Sequence, residues 1–245
     1  MPSPEDFGLS DPVPLPPEIL RSDDRELDAF VLSLALAFND LKVVEWVNLQ
    51  MSRHRRPEAG VDPVQGQISG FSVWGARTSL GLIHEVMRAI EVAEGNGLLQ
   101  RPIILETVNV LGSEDGADWL ALVDVATARE VKGAPAVELR AYLTQLRNNV
   151  AFHYYQPKAL LRGYDRFFFQ DARSEFNQRA YVSTGPTMEE TRFYFADAAA
   201  ASCYENAANV HLFRNADKLR PLVAGALMAF LNGYLALRAT LLSDE

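Results

Sequence analysis

The stretch LDAFVLSLALAFNDLKVV, from Leu27 to Val44, sets the structural character of the chain. Its inward-facing apolar residues recur at alternating steps of three and four, at Leu27, Phe30, Leu34, Ala37, Leu41 and Val44. This spacing collects the side chains on one face of an α-helix. The pattern predicts a helix from about Glu18 to Arg53.

The same helical periodicity continues along most of the chain, whereas strand signals are few. Signals such as Asp62-Pro63 and the segment from Glu94 to Gly97 divide the pattern into separate helices. The remaining predicted helices are Pro63–Glu94, Leu98–Leu111, Asp115–Arg129, Ala136–Tyr155, Pro157–Ala172 and Asp217–Leu242. The sequence therefore predicts an all-α protein, a single helical bundle.

Residues 176–196 leave two interpretations open. They fit a β-hairpin around Gly185-Pro186, and they fit a helix opened by a capping box of Thr187 and Glu190. We expect at most one short hairpin, near residues 179–196.

The composition is that of a globular protein with a hydrophobic core. The chain has 245 residues, of which 48% are hydrophobic, and it shows no internal repeat or convincing linker. Residues 1–17 hold six of the 13 prolines and no apolar core segment, so they read as a tail and not as a signal peptide. We expect one domain over residues 18–245.

Cysteine content and hydropathy bear on the cell compartment. Cys203 is the only cysteine, which excludes an internal disulfide and fits a reducing cytoplasm. The uncharged run from Pro221 to Leu237 is slightly short for a membrane span and contains Gly225, Asn232 and Gly233. We therefore expect a cytoplasmic protein that does not enter the membrane, with this run as a core helix.

Charge is distributed unevenly along the chain. The net charge is −9, which argues against a general nucleic-acid-binding protein. Residues 139–180, however, hold seven Lys or Arg and three Asp or Glu, a local +4, together with nine of the 24 aromatic residues. Such a segment is a candidate anion site, although long helices are often unevenly charged.

The usual signatures of cofactor and metal sites are missing from the sequence. The segment GNGLLQ (Gly95–Gln100) lacks the third glycine of a dinucleotide loop, and no phosphate-binding GxxxxGK[ST] occurs. No two of the four histidines have the spacing of metal ligands. We expect no cofactor and no metal, and we interpret His84 as a packed, hydrogen-bonded residue. The helix carboxylates Asp40, Glu45, Glu85 and Glu91 are interpreted as ordinary surface residues.

The segment LRNNVAFHYYQPK, from Leu146 to Lys158, is the strongest functional signal. The apolar stripe Leu139, Leu143, Leu146 and Val150 continues at His153, so the histidine faces whatever the helix packs against. Arg147 lies six residues earlier, about 120° around the helix. One helix alone cannot bring these two side chains together, whereas the two-fold axis of a homodimer can.

Arg147, Asn148, four further residues and His153 form the pattern R-N-x4-H, and Tyr155 follows two residues after the histidine. On a late helix of an α-bundle this pattern resembles that of the HEPN superfamily (higher eukaryotes and prokaryotes nucleotide-binding). The resemblance covers this helix and the all-α context only.

The resemblance implies a metal-independent endoribonuclease, often a toxin or antiviral defence effector, that acts as a dimer and has an antitoxin or regulatory partner. His153 would transfer protons at the ribose 2′-hydroxyl or the leaving oxygen, which leaves 2′,3′-cyclic phosphate ends. Arg147 would hold the phosphate. Asn148 and Asn149 would orient the phosphate or the imidazole ring, and Tyr155 would contact the substrate.

Two alternatives remain. The bundle could be a non-catalytic dimerisation or interaction module in which Arg147 and His153 are structural, a reading favoured by the acidic net charge. It could also bind a nucleotide, with Arg147, Lys158 and Arg162 clamping its phosphates.

Overall fold

The computed structural model describes residues 14–54, 63–128, 135–147, 158–170, 180–182, 185–187, 191–204 and 210–243. These residues are 87% helical and include no strand, which confirms the all-α prediction. The helices are α1 (Arg25–Arg53), α2 (Pro63–Gly95), α3 (Pro102–Val110), α4 (Ser113–Thr127), α5 (Pro135–Leu146), α6 (Lys158–Asp165), α7 (Tyr194–Tyr204) and α8 (Val210–Ser243). Short 3₁₀ turns lie at Pro17–Leu20 and Leu98–Gln100, and a π-helical turn at Arg166–Gln170 follows α6.

The two long helices α1 and α2 form an antiparallel pair. The stripe predicted on α1 points inward, with Leu34 and Leu41 almost fully buried, and Ile83 and Ile90 of α2 are equally buried. Gly75 allows the helices to approach closely, because a Cβ atom at this position would collide with the side chain of Asn48. The pair supplies one wall of the core.

The last helix, α8, lies in the centre of the bundle and packs against α1, α2, α3, α4 and α5. The ring of Phe230 stacks on Trp119 of α4 with 3.9 Å between centroids, and Tyr234 continues the stack one turn later. All three aromatic side chains are almost completely buried. This aromatic column joins α8 to α4 in the middle of the core.

A second layer is formed by α6 and α7, which pack mainly against each other, and α7 also contacts α2. The segment before α7 docks on α2 through Arg192, whose guanidinium donates to Gln67 Oε1 at 3.1 Å and pairs with Asp197 at 3.0 Å. Gly70 of α2 lies under this guanidinium, and a side chain there would occupy the same space. Gly70 and Gly75 of α2 are therefore sites of close packing.

Several helix boundaries differ from the predictions, for local reasons. The first helix begins at Arg25 and not at Glu18, because Asp24 caps it by accepting the Leu27 amide at 3.1 Å. The helix predicted to begin at Leu98 begins instead at Pro102, because the residue before a proline disfavours the helical conformation. The last begins at Val210 and continues through Pro221, whose ring lies on an exposed face.

The described part of residues 179–196 contains no strand, and Glu190 of the suggested capping box lies outside the described residues. A helix that was not predicted, α7, begins at Tyr194. Residues 1–13 of the tail and residues 148–157, the second half of the predicted Ala136–Tyr155 helix, also lie outside the described part.

Within the described chain, the stretch Arg214–Ser243 is long and apolar enough to cross a membrane by length and composition, and 33% of its apolar window is buried inside the protein. Core helices of soluble proteins have the same length and composition. Its buried face includes Val223, Leu227 and Phe230, which contact the rest of the bundle. This packing is the one expected for a central core helix.

We predict that Phe230→Ala lowers the free energy of unfolding by roughly 3–5 kcal/mol, because it removes a fully buried ring and leaves a cavity beside Trp119. The matched control is Met228→Ala on the same helix, where the side chain is 52% exposed and the change should cost no more than about 0.5 kcal/mol. Guanidinium unfolding followed by circular dichroism measures both values. Equal losses in the two variants would contradict the packing described for α8.

Candidate functional site

The described half of the predicted site helix is α5, whose two faces have different roles. Leu139, Tyr142 and Leu143 are buried in the core, as the apolar stripe predicted for the two leucines. Arg140, Thr144 and Arg147 recur at steps of four and three and so share another face. That face lies against α2.

Arg147 follows the last residue of α5 and reaches across to α2. Its Nε donates to Glu85 Oε1 at 3.1 Å, and its side chain stays 34% exposed. The Glu85 side chain is 50% exposed, so the pair lies at the surface. An ion pair this exposed contributes little to stability, but it fixes where the guanidinium lies.

His84, the neighbour of Glu85, is hydrogen-bonded and packed, as the sequence predicted. Its Nε2 lies 3.2 Å from Thr144 Oγ1. The Thr144 hydroxyl also donates to the Arg140 carbonyl oxygen at 2.9 Å. The other ring nitrogen, Nδ1, is buried, has no hydrogen-bond partner among the described residues and lies 3.6 Å from Glu85 Oε1.

Burial lowers the pKa of His84 below its usual value, and the nearby Glu85 carboxylate offsets this only in part. The positive charges of Arg147 and Arg88 lower the pKa further. The imidazole is therefore neutral at neutral pH. Because Nδ1 is buried, the ring cannot act on a substrate oxygen without a movement of the side chain.

A second set of ion pairs continues along the same two helices. Arg140 pairs with Glu91 Oε1 at 2.8 Å, and Arg88 pairs with the other oxygen of the same carboxylate. The hydrogen bond from Arg140 is the main reason that the pKa of Glu91 is lowered. We call Arg140, Thr144 and Arg147 of α5 with His84, Glu85, Arg88 and Glu91 of α2 the α2–α5 cluster. Its three arginines and two glutamates sum to +1.

The sequence interpreted Glu85 and Glu91 as ordinary helix-surface carboxylates. Both lie at the surface, and the structure adds that Glu91 binds Arg140 and Glu85 binds Arg147. Glu45 likewise pairs with Arg220 of α8 at 3.2 Å. These partners are far apart in sequence, and no local spacing could have indicated them.

The other predicted site residues are not brought together with Arg147 in the described part. Asn148, Asn149, His153 and Tyr155 lie outside the described residues, as does the side chain of Lys158. Arg162 is exposed on α6, which packs mainly against α7. Among the described side chains, no three His, Cys, Asp or Glu converge as a metal site would require.

Comparison with protein-family models, with curated proteins and with solved structures gave no match. What the α2–α5 cluster can do chemically therefore follows from its own residues.

The lowered pKa of His84 predicts a specific pH dependence of stability. In the unfolded chain His84 takes up a proton near pH 6.5, whereas in the folded chain it does so only at lower pH. The stability supplied by neutral His84 is therefore present above pH 6.5 and is lost as the pH falls. We expect the difference in unfolding free energy between wild type and His84→Gln to shrink from pH 7.5 to 5. The slope of this free-energy difference against pH cannot exceed about 1.4 kcal/mol per pH unit.

Urea titrations of both proteins at several pH values measure this difference, and groups that titrate alike in the two proteins cancel. A difference that grows as the pH falls would show that His84 is stabilised as the cation, in contradiction to the burial argument.

Proposed function

We propose that the chain is a metal-independent endoribonuclease of the HEPN type, a toxin or antiviral defence effector that acts in the cytoplasm as a homodimer. In this proposal an antitoxin or regulatory protein controls it. Arg147 and His153 are the catalytic pair, with Asn148 beside them.

The observation that carries the proposal is the presentation of Arg147. The first residue of the R-N-x4-H pattern is one-third exposed and is held at Nε by a carboxylate from another helix. A catalytic arginine needs access to solvent and a fixed orientation, and Arg147 has both. An arginine fully paired inside the core could not reach a substrate and would contradict the proposal.

The charges around Arg147 also suit a phosphate. The α2–α5 cluster carries +1 when His84 is neutral, in a protein whose net charge is −9. A phosphodiester therefore meets a locally positive surface. In the proposed reaction, His153 accepts the proton of the ribose 2′-hydroxyl, the 2′-oxygen attacks phosphorus, and the bond to the 5′-oxygen breaks. The 5′-oxygen leaves as a hydroxyl group by taking a proton from water, and the His153 imidazolium returns its proton to the solvent. Arg147 stabilises the charge that develops on the phosphorane.

Glu85 is the positioning residue in this scheme. By binding Nε it orients the planar guanidinium, because the donors of arginine form a rigid fork. A lysine at position 147 would keep the charge and lose this geometry. The Glu85 carboxylate repels the substrate phosphate. Its role is therefore to orient the arginine and not to contact RNA.

A second candidate function rests on a different surface. The outer face of α1 exposes four large apolar residues, Leu32, Leu36, Val43 and Trp46, of which the first three are 58%, 60% and 58% exposed. Their steps of four, seven and three place them in one stripe along the helix. An exposed apolar stripe is typical of a protein–protein contact. This surface favours a non-catalytic interaction module, in which the pair Arg147–Glu85 only fastens α5 to α2.

We predict that the wild-type protein cleaves single-stranded RNA in the presence of a chelator, leaves 2′,3′-cyclic phosphate ends and does not cleave DNA, which lacks the nucleophilic 2′-hydroxyl. His153→Ala should abolish cleavage, because loss of a general acid–base group costs roughly two to four orders of magnitude. Arg147→Lys should lower the rate strongly as well. Gel analysis of end-labelled RNA measures the rates and the ends.

The matched control is Arg53→Lys, since Arg53 is exposed at the end of α1 and far along the chain from the pattern. It should cleave like wild type. Equal cleavage by wild type and His153→Ala, including no cleavage by either, would overturn the ribonuclease proposal and leave the interaction module.

A further inference from the structure

The outer face of α1 repeats with the spacing of a coiled-coil helix. From Leu32 onward, residues on this face follow one another at steps of four, three, four, three and four, and the exposed Ala29 extends the series by one step toward the start of the helix. Alternating steps of this kind present the side chains as one seam to a neighbouring helix. We call six of these residues the outer seam: Leu32, Leu36, Asn39, Val43, Trp46 and Gln50.

The outer seam faces away from the core. None of the buried residues of α1 belongs to it. Leu32, Leu36 and Val43 each expose more than half of their surface, and Trp46 is 37% exposed. The opposite face of the same helix packs against α2 and α8. The helix α1 therefore has two apolar faces, and the described part of the chain buries only the inward one.

Asn39, in the middle of the outer seam, indicates what kind of surface covers it. Its side chain is exposed and lies between apolar residues on either side. An amide that is buried in such a place costs stability unless it is hydrogen-bonded. The asparagine side chain carries both donors and an acceptor, so it can pair with a second copy of itself. In a coiled coil a single asparagine of this kind fixes how the helices are aligned.

The charges on this face also suit a second copy. The seam residues carry no charge, and the positions that flank the seam hold one acidic and one basic residue, in a protein of net charge −9. If two copies run parallel, Asp40 lies beside the second copy's Ala35, and Lys42 lies beside the second copy's Val47. No like charges are opposed, which would otherwise cost several kcal/mol.

The position of Asn39 selects the parallel orientation. In a parallel pair about a two-fold axis each seam residue meets its own copy, so the two amides meet and every apolar residue is covered. An antiparallel partner places Leu36 or Val43 opposite the amide, or else Gln50. The first two leave the amide without a hydrogen bond. The third leaves Leu32 and Leu36 outside the overlap of the two seams.

We propose that the outer seam of α1 is a homodimer interface in which two copies of α1 run parallel and the Asn39 amides bond to each other. The inference specifies the homodimer of the proposed function and rests on that part of it. The two-fold axis lies at α1 and not at the helix that carries Arg147. The interface is therefore independent of the cleavage chemistry.

Sedimentation equilibrium of the full-length protein without RNA tests the proposal. The seam extends about 28 Å along the helix, and a single helix pair is at the small end of specific interfaces, which is about 1,200 Å² in total. We therefore expect the wild type to pass from monomer to dimer between about 1 and 100 μM.

Leu36→Glu should weaken this association at least about 100-fold, because two carboxylates would meet in an apolar layer. The matched control is Leu105→Glu on α3, where the leucine is 50% exposed, and this variant should dimerise like wild type. Circular dichroism checks that both variants remain folded. A dimer that Leu36→Glu leaves intact uses another face and overturns the proposal.

A wild type that stays monomeric over this concentration range also overturns the proposal and leaves the seam to a helix of another protein. Neither result depends on RNA. Cleavage assays on the same samples therefore show separately whether the ribonuclease proposal fails.

Cross-linking tests the orientation. In a Cys203→Ser background, Asn39→Cys should form a disulfide-linked dimer on oxidation, because a parallel two-fold pair brings position 39 within disulfide reach of its own copy. Ser33→Cys on the same exposed side of α1 is the control and should remain unlinked, since it flanks the seam. A dimer that cross-links at position 33, or at neither position, would overturn the parallel assignment.

Discussion

The structure depends on the burial of α8 along the axis of the bundle. Trp119, Phe230 and Tyr234 form a stacked column with almost no exposed surface, and the helices α1 to α5 pack around it. A helix that contacts five others carries apolar residues on each contacting face, and this accounts for part of the apolar composition that resembles that of a membrane span. The positions of α2 and α5 follow from their packing on this column and on each other.

Both polar regions of the protein are consequences of that core. The α2–α5 cluster exists because the buried leucines of α5 hold its opposite face beside α2, where Arg147 meets Glu85 and Thr144 meets His84. A cavity lies where the end of α8 meets the starts of α1 and α3. In each case the core supplies a rigid frame, and a few polar groups at its edge acquire fixed positions.

The fold was predictable from the sequence because long helices carry their own signal. The stripe on α1 and the apolar run of α8 were sufficient to predict an all-α bundle with α8 in the core. Errors arose where one side chain decided a boundary, as Asp24 does for α1. The helix α7 was missed because its segment YFADAAAASCY is rich in alanine, which favours a helix but leaves no apolar stripe to detect.

The site was only partly predictable, for a related reason. Arg147 stands out in the sequence because it begins a local pattern, and the structure adds its contact with Glu85. Its partner Glu85 lies 62 residues away and has no local signature. Residue pairs that are distant in sequence can be identified only from the three-dimensional structure, whereas helical periodicity can be recognised in the sequence.

The central claim is that Arg147 serves catalysis and not merely cohesion between α2 and α5. The charge-swapped variant Glu85→Arg with Arg147→Glu tests it, because the pair is largely exposed and the swap keeps an ion pair between the helices. We predict a melting temperature close to that of wild type and an RNA cleavage rate at least about 100-fold lower, since position 147 of the R-N-x4-H pattern no longer carries a guanidinium. Equal rates in the two proteins would contradict the account.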